Sequence, residues 1–238
     1  MEKKNSERFL SAFIKIETKL KEIVGNDSHK AFYQLVDRAA VKNPAIDKYR
    51  SVLKEYAELR NAIVHKRIED EAIAEPHIKV VEDLEFICNM LTTPPTLEQE
   101  FLQKVVKCSS YDKVSLAIRK MVKNDFSKIP VYDGKRFMGL LTTDSIARWI
   151  AYNLESGIEV AQDADVETIL EFSKQKETYT FIAKNSTVFE AISVFEQWYK
   201  KGLRLNAVII TECGDRNEPP LGILSLFDLP KLYERVSK

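Results

Sequence analysis

Apolar residues recur at intervals of three and four through residues 6–93 of this 238-residue chain, and in short alternating or continuous runs beyond residue 95. Phe9, Phe13, Ile16, Leu20 and Ile23 form one such stripe, the mark of an amphipathic helix, because residues three and four apart share a helical face. Asp27 and Ser28 are candidate caps for a second helix that buries Phe32, Leu35, Val36 and Ala39. Asn43-Pro44 opens a third, since a proline's missing N–H costs nothing in the first turn. That helix carries Ile46, Tyr49, Leu53, Tyr56 and Ile63. Glu75-Pro76 breaks the chain before a fourth helix over residues 77–91, which is expected to bury Ile78, Val81, Leu84 and Ile87. Thr92-Thr93-Pro94-Pro95-Thr96 stops it. Four helices with short connections predict a bundle over residues 1–95.

Beyond Pro95 the period changes. Residues 103–108 read as a strand and 115–124 as a short helix with Leu116, Ile118 and Met121. Strands at 129–132 and 136–141 are joined through Asp133-Gly134, a strong hairpin signal, and a helix over 143–154 follows. Residues 165–175 read as a linking helix. The order then repeats: strand 180–183, helix 188–200, strand 206–211, strand 221–224 and a final helix. Two stretches make the duplication explicit, Phe137-Met138-Gly139-Leu140-Leu141-Thr142-Thr143-Asp144-Ser145-Ile146 and Pro220-Leu221-Gly222-Ile223-Leu224-Ser225-Leu226-Phe227-Asp228-Leu229. Self-similarity over such a span marks a duplicated unit. The predicted fold class is α+β and multidomain: a helical bundle over 1–95, then two β-α-β-β-α units over 100–155 and 165–236. A hydroxyl residue at each strand-to-helix junction places backbone N–H groups where an anion could sit. This half is expected to sense rather than to catalyse.

Charge and cysteine usage narrow the classes. Lys and Arg match Asp and Glu at 36 each, so no global field selects a polyanionic partner. Locally, ten basic residues face four acidic ones between Lys104 and Arg148, and three face nine between Glu155 and Glu196. A solvated surface accounts for such runs, and a basic first repeat also suits a phosphate-bearing ligand or RNA. Cys88, Cys108 and Cys213 are odd in number and far apart, so neither a disulfide framework nor a zinc site is expected. With no apolar run long enough to span a bilayer, no membrane role is expected, and the chain reads as soluble and cytoplasmic.

The duplicated half resembles a tandem pair of CBS domains, the Bateman module. The first copy carries Asn124-Asp125-Phe126-Ser127-Lys128-Ile129-Pro130-Val131 and closes on Gly139-Leu140-Leu141-Thr142. The second carries Leu203-Arg204-Leu205-Asn206-Ala207 and closes on Gly222-Ile223-Leu224-Ser225-Leu226-Phe227-Asp228. The resemblance implies an adenine-type regulatory ligand (AMP, ADP, ATP or a cyclic dinucleotide) and no catalytic cofactor. It assigns Ser225 to phosphate and Asp228 to the ribose hydroxyls, with Leu205 and Asn206 as the adenine wall and Arg204 within reach of phosphate. In the first copy Thr142 is present, Ser145 stands where the ribose carboxylate belongs, and Asp144 is one position early. Lys128 and Ile129 align with Arg204 and Leu205. The spacing Ser225-x-x-Asp228 also suits a relative of the helix capping box, with the helix starting at Asp228 and Pro230 harmless in its first turn.

In the helical half, Arg60-Asn61-Ala62-Ile63-Val64-His65 ends the third helix. Asn61 and His65 are four apart and share a face, with Arg60 adjacent. Arg is a permanent cation and His exchanges protons near neutral pH, a set sufficient for metal-independent cleavage of RNA by its own 2′-hydroxyl. The segment resembles the HEPN superfamily, whose signature is Arg, a polar residue, three residues, His. The resemblance implies a homodimer with a composite site in which Arg60 and His65 act at the scissile phosphate and Asn61 orients them. The alternative has His65 capping a helix end while Arg60 pairs with a nearby carboxylate such as Glu58 or Glu69. The whole would then be a non-catalytic sensor whose bundle docks a partner protein.

Overall fold

The computed structural model describes residues 4–25, 29–65, 67–68, 71–72, 75–157, 164–173 and 178–238, with backbone alone at 65, 67–68 and 71–72. By its contacts the chain divides into two units. One is Met1–Pro95 with Thr187–Ser193 and Leu232–Lys238, and the other is Thr96–Ser186 with Val194–Lys231.

The first unit is built on α1 (Asn5–Val24), α2 (Phe32–Lys42), α3 (Pro44–His65) and α4 (Ile78–Thr92). Between α3 and α4 lies a short antiparallel hairpin of β1 (Arg67–Ile68) and β2 (Glu71–Ala72), which the sequence pattern did not predict. Helix α1 packs on α2 and α4, and α3 packs on the same two. The stripe holds for Phe9, Phe13, Ile16 and Leu20, all buried, and continues at Val24 rather than Ile23. Asn43 caps α3, its Oδ1 accepting from the Ala45 N–H at 2.9 Å. Asp27 and Ser28 lie outside the described residues and are not the cap of α2. Its N-cap is Ala31, which makes no side-chain capping bond, because the helix starts only at Phe32. His77 caps α4 through Nδ1, which accepts from the Lys79 N–H at 3.2 Å. In α4, Val81, Leu84 and Ile87 are buried, whereas Ile78 is 37% exposed; next to the cap, it sits at the frayed edge of the apolar face. The tail residue Val236 belongs to this unit, and its carbonyl accepts from the Tyr49 hydroxyl at 3.0 Å. Burial pushes the Tyr49 phenol up to about 12, with Asp83 adding to it.

The second unit holds most of both repeats. The first repeat runs α5 (Val114–Asn124), β3 (Lys128–Asp133), β4 (Arg136–Thr142) and α6 (Thr143–Glu155). Then come α7 (Val166–Leu170), β5 (Tyr179–Ala183), α8 (Val188–Lys200), β6 (Ala207–Thr211), β7 (Gly222–Leu224), a 3-10 turn at Leu226–Asp228 and α9 (Leu229–Arg235). Of the linking helix expected over 165–175, the described residues form only the five-residue α7.

Strand β5 runs parallel to β6, and β6 antiparallel to β7. The first repeat has the same scheme in reduced form. β3 pairs antiparallel with β4, and the expected strand at 103–108 survives only as a parallel bridge between Cys108 and Val131. The reason is a change of partner. Cys108 bonds the backbone of Pro130 and Tyr132, but Gln103 N–H donates to Leu221 O at 2.9 Å, on the other repeat. A single straight ladder cannot serve both sheets.

The two sheets meet through Tyr132, Phe137 and Leu140 on one side and Ala207 and Ile209 on the other. A second core, under the first repeat, joins Val114, Ala117 and Met121 of α5 to Ile129, Val131 and Leu141. Gly222 is required where it stands: a Cβ there would come within 2.5 Å of the Phe101 carbonyl oxygen.

Candidate functional site

Both closing motifs fold as helix starts. Thr142 caps α6, its Oγ1 accepting from the Ser145 N–H at 3.1 Å while Ser145 Oγ accepts from the Thr142 N–H at 3.0 Å. In the second copy the Ser225 N–H donates to Asp228 Oδ2 at 2.7 Å and the Ser225 hydroxyl donates to the same oxygen at 3.0 Å. The capping arrangement is therefore present in both, and Pro230 falls in the first turn of α9, where it removes no helical bond. Because both Ser225 groups engage Oδ2, Oδ1 makes no bond to Ser225.

Two clefts of the second unit take in the hydroxyl residues of the closing motifs. One, of about 520 Å³, is lined by Ser225 and Asp228 together with Lys128, Lys104, Phe126 and Phe227. The other, of about 310 Å³, is lined by Thr142, Asp144, Arg148, Thr178, Arg204 and Asn206. Both volumes fall within the range of about 300–1,000 Å³ usual for small-molecule sites.

The grouping differs from the one expected along the sequence. Arg204 and Asn206 line the Thr142 cleft, and Lys128 lines the Ser225 cleft. The cause is the packing of the two sheets on each other, which brings the start of each repeat's second strand beside the other repeat's closing motif. Leu205 is 4% exposed and Ile129 fully buried; these two side chains belong to the core and line neither cleft.

Lys128 stands between the clefts. Its Nζ donates to the Asn206 carbonyl at 2.8 Å. Burial lowers its pKa, Asp228 pulls it back up, and Arg204 pushes it down again. The field of both clefts thus converges on one ammonium. Asp144 is held by Arg148 through two bonds of 2.9 and 3.0 Å.

Sequence reasoning missed the two aromatics and Lys104. Phe126 follows Asp125, whose left-handed backbone (φ 55°) ends α5 and turns the chain toward the cleft. Phe227 lies between Ser225 and Asp228 of the closing motif. A phenylalanine set among the polar residues of each motif, Asp125-Phe126-Ser127 and Phe227-Asp228, was the available signal.

In the first unit, Arg60 Nη1 donates to Asn61 Oδ1 at 3.2 Å near the end of α3. The backbone of His65 closes that helix, while its side chain, like Glu69, lies outside the described residues. Among the described residues there is no cluster of His, Cys, Asp or Glu suited to a metal. No helix among them is long and apolar enough to cross a membrane.

Residues 100–152 match the family model of the CBS domain. The match takes in α5, β3, β4 and most of α6, and so includes Lys104, Phe126, Lys128 and Thr142. No curated protein matches the chain. Solved structures similar to it include a signal-transduction protein with CBS domains from Burkholderia ambifaria, at 17% identity and a TM-score of 0.42, over 57% of this chain and 88% of that one. Another is a CBS domain pair in complex with 5′-methylthioadenosine and S-adenosyl-L-methionine, at 15% identity and a TM-score of 0.43, over 59% and 97%. A third is CBSX2 in complex with AMP, at 11% identity and a TM-score of 0.43, over 60% and 99%.

Proposed function

We propose that the second unit is a regulatory module that takes an adenine-type nucleotide in the cleft of Ser225 and Asp228. The observation that carries this reading is the convergence there of Lys128, Ser225 and Asp228 from segments nearly a hundred residues apart, in a repeat whose first copy matches the CBS family. Lys104 and Lys128 offset phosphate charge, the Ser225 hydroxyl offers a hydrogen-bonding partner, and Asp228 Oδ1 accepts from the ribose hydroxyls. The Thr142 cleft holds Arg148 and Arg204 but no carboxylate at the Asp228 position, so it is the weaker of the two for a ribose.

Calorimetry of the full chain with AMP, ADP and ATP tests the assignment. Asp228→Ala is expected to weaken binding more than tenfold, as removal of a charged hydrogen-bonding partner typically costs about 1.5–3 kcal/mol. Affinity unchanged in that variant would refute the site.

The helical unit is the output of this sensor. Its preferred form is a homodimer in which ligand binding favours one arrangement of protomers over another, since only a difference in affinity between states shifts an equilibrium. A second step rests on the sequence motif alone: Arg60, Asn61 and His65 form a metal-independent ribonuclease centre acting on RNA. The competing output is a non-catalytic adaptor whose bundle docks a partner protein.

A further inference from the structure

Phe126 and Phe227 reach the Ser225 cleft from two separate segments, the turn after α5 and the 3-10 turn before α9. Neither ring is covered: Phe126 is 43% exposed and Phe227 89% exposed. A phenylalanine left in water forgoes the stabilisation that burying its ring would bring. Two such rings in a cleft that also presents Lys104, Lys128, Ser225 and Asp228 describe an occupant with one charged end and one flat apolar face. A nucleotide has both.

We infer that Phe227, with Phe126 on the opposite segment, is the surface on which the base of the ligand stacks. This rests on the nucleotide reading above and adds which part of the ligand supplies affinity and through which residues. The four residues Ser225–Asp228 then divide the ligand among them: hydroxyl to phosphate, ring to base, carboxylate to ribose. Stacking on an aromatic ring contributes to affinity whatever the base, because every base has a π face. Phe227 therefore selects for an aromatic heterocycle over a bare sugar phosphate, without choosing among bases. Leu226, next but one to Asp228 and 56% exposed, makes burial in a protein complex the rival explanation for the bare Phe227 ring, and the experiment separates the two cases.

The full chain and its Phe227→Ala and Phe227→Trp variants are titrated calorimetrically with ribose 5-phosphate and with the tightest of AMP, ADP and ATP. Phe227 is so exposed that its replacement leaves the fold intact, which a melting curve checks. The expected result is a loss of roughly 5- to 150-fold in nucleotide affinity for Phe227→Ala, the range for one stacked base. Ribose 5-phosphate affinity stays the same, and Phe227→Trp retains nucleotide binding. Nucleotide affinity unchanged in Phe227→Ala, or an equal loss for nucleotide and sugar phosphate, overturns the inference. If Asp228→Ala loses binding while Phe227→Ala does not, the nucleotide site stands and the stacking role falls. A wild-type chain that binds no adenine nucleotide overturns both. A Phe227→Ala chain that changes its oligomeric state but not its nucleotide affinity assigns the ring to a protein interface.

Discussion

At the scale of single residues, the second copy differs from the first by one side chain at the same capping position. Asp228 and Ser145 both accept from the backbone N–H of the hydroxyl residue three positions earlier. Only Asp228 brings a charge and a second oxygen. Lys128 faces that charge, and its titration gives the site a pH signature. Its folded pKa lies below the ordinary 10.5 because burial disfavours the ammonium. The unfolded chain therefore holds the proton to higher pH than the native one. Between the two values unfolding takes up a proton, so this residue's contribution to stability rises with pH through that window. A bound phosphate acts in the opposite sense and raises the pKa again. Nucleotide binding is accordingly expected to take up protons on the alkaline side, below 10.5, and to weaken as Lys128 deprotonates. Calorimetry in buffers of different ionisation heat measures that uptake, and Lys128→Met should abolish it. Identical uptake in the variant would place the linked proton elsewhere.

At the scale of elements, periodicity and the cap of α3 were readable, whereas the cap of α2 and the partners were not. The helices of the first unit follow from their stripes, and Asn43-Pro44 marks the start of α3 as its spacing implied. The segment 103–108 has the composition of a strand, yet its hydrogen bonds divide between Leu221 and the Pro130–Tyr132 stretch. Composition reports that a segment can pair; it does not report with what. The close approach of Phe101 to β7 has the same character. Gly222 reads in the sequence as part of a motif, and its necessity comes from a carbonyl more than a hundred residues away. Gly222→Ala is expected to destabilise the second unit by about 1–3 kcal/mol, the usual cost of overpacking. Chemical denaturation checks this, and a midpoint unchanged from wild type would mean that the 97–103 segment moves aside freely. Gly134→Ala, at φ 62° in open space, serves as a comparison in which strain alone acts.

At the scale of the whole molecule, the two units pose separate questions. The clefts follow from the packing of one repeat on the other, an arrangement that the linear order of motifs does not contain. The output of the helical unit is tested by incubating an RNA pool with wild-type and His65→Ala protein, with and without adenine nucleotide, alongside sedimentation of each. A gated ribonuclease is expected to cleave only with His65 present, to respond to nucleotide and to sediment as a dimer. No cleavage under any condition leaves the adaptor reading, and a stable monomer throughout excludes a site shared by two protomers.

The sequence by itself determined the helical stripes, the duplication, the hairpin at Asp133-Gly134 and the identity of the hydroxyl and carboxylate groups in each closing motif. The duplication is read by comparing two distant stretches; the others depend on residues within one or two turns of each other, where local sterics and hydrogen bonding decide the outcome. Only the tertiary structure decided that Arg204 faces Thr142, that Lys128 faces Asp228, that Ile129 and Leu205 are core, and that Phe126 and Phe227 share a cleft. Those juxtapositions come from burying apolar faces of distant strands against each other, and burial is non-directional. It selects a face for every residue at once, and no short stretch of chain carries that choice.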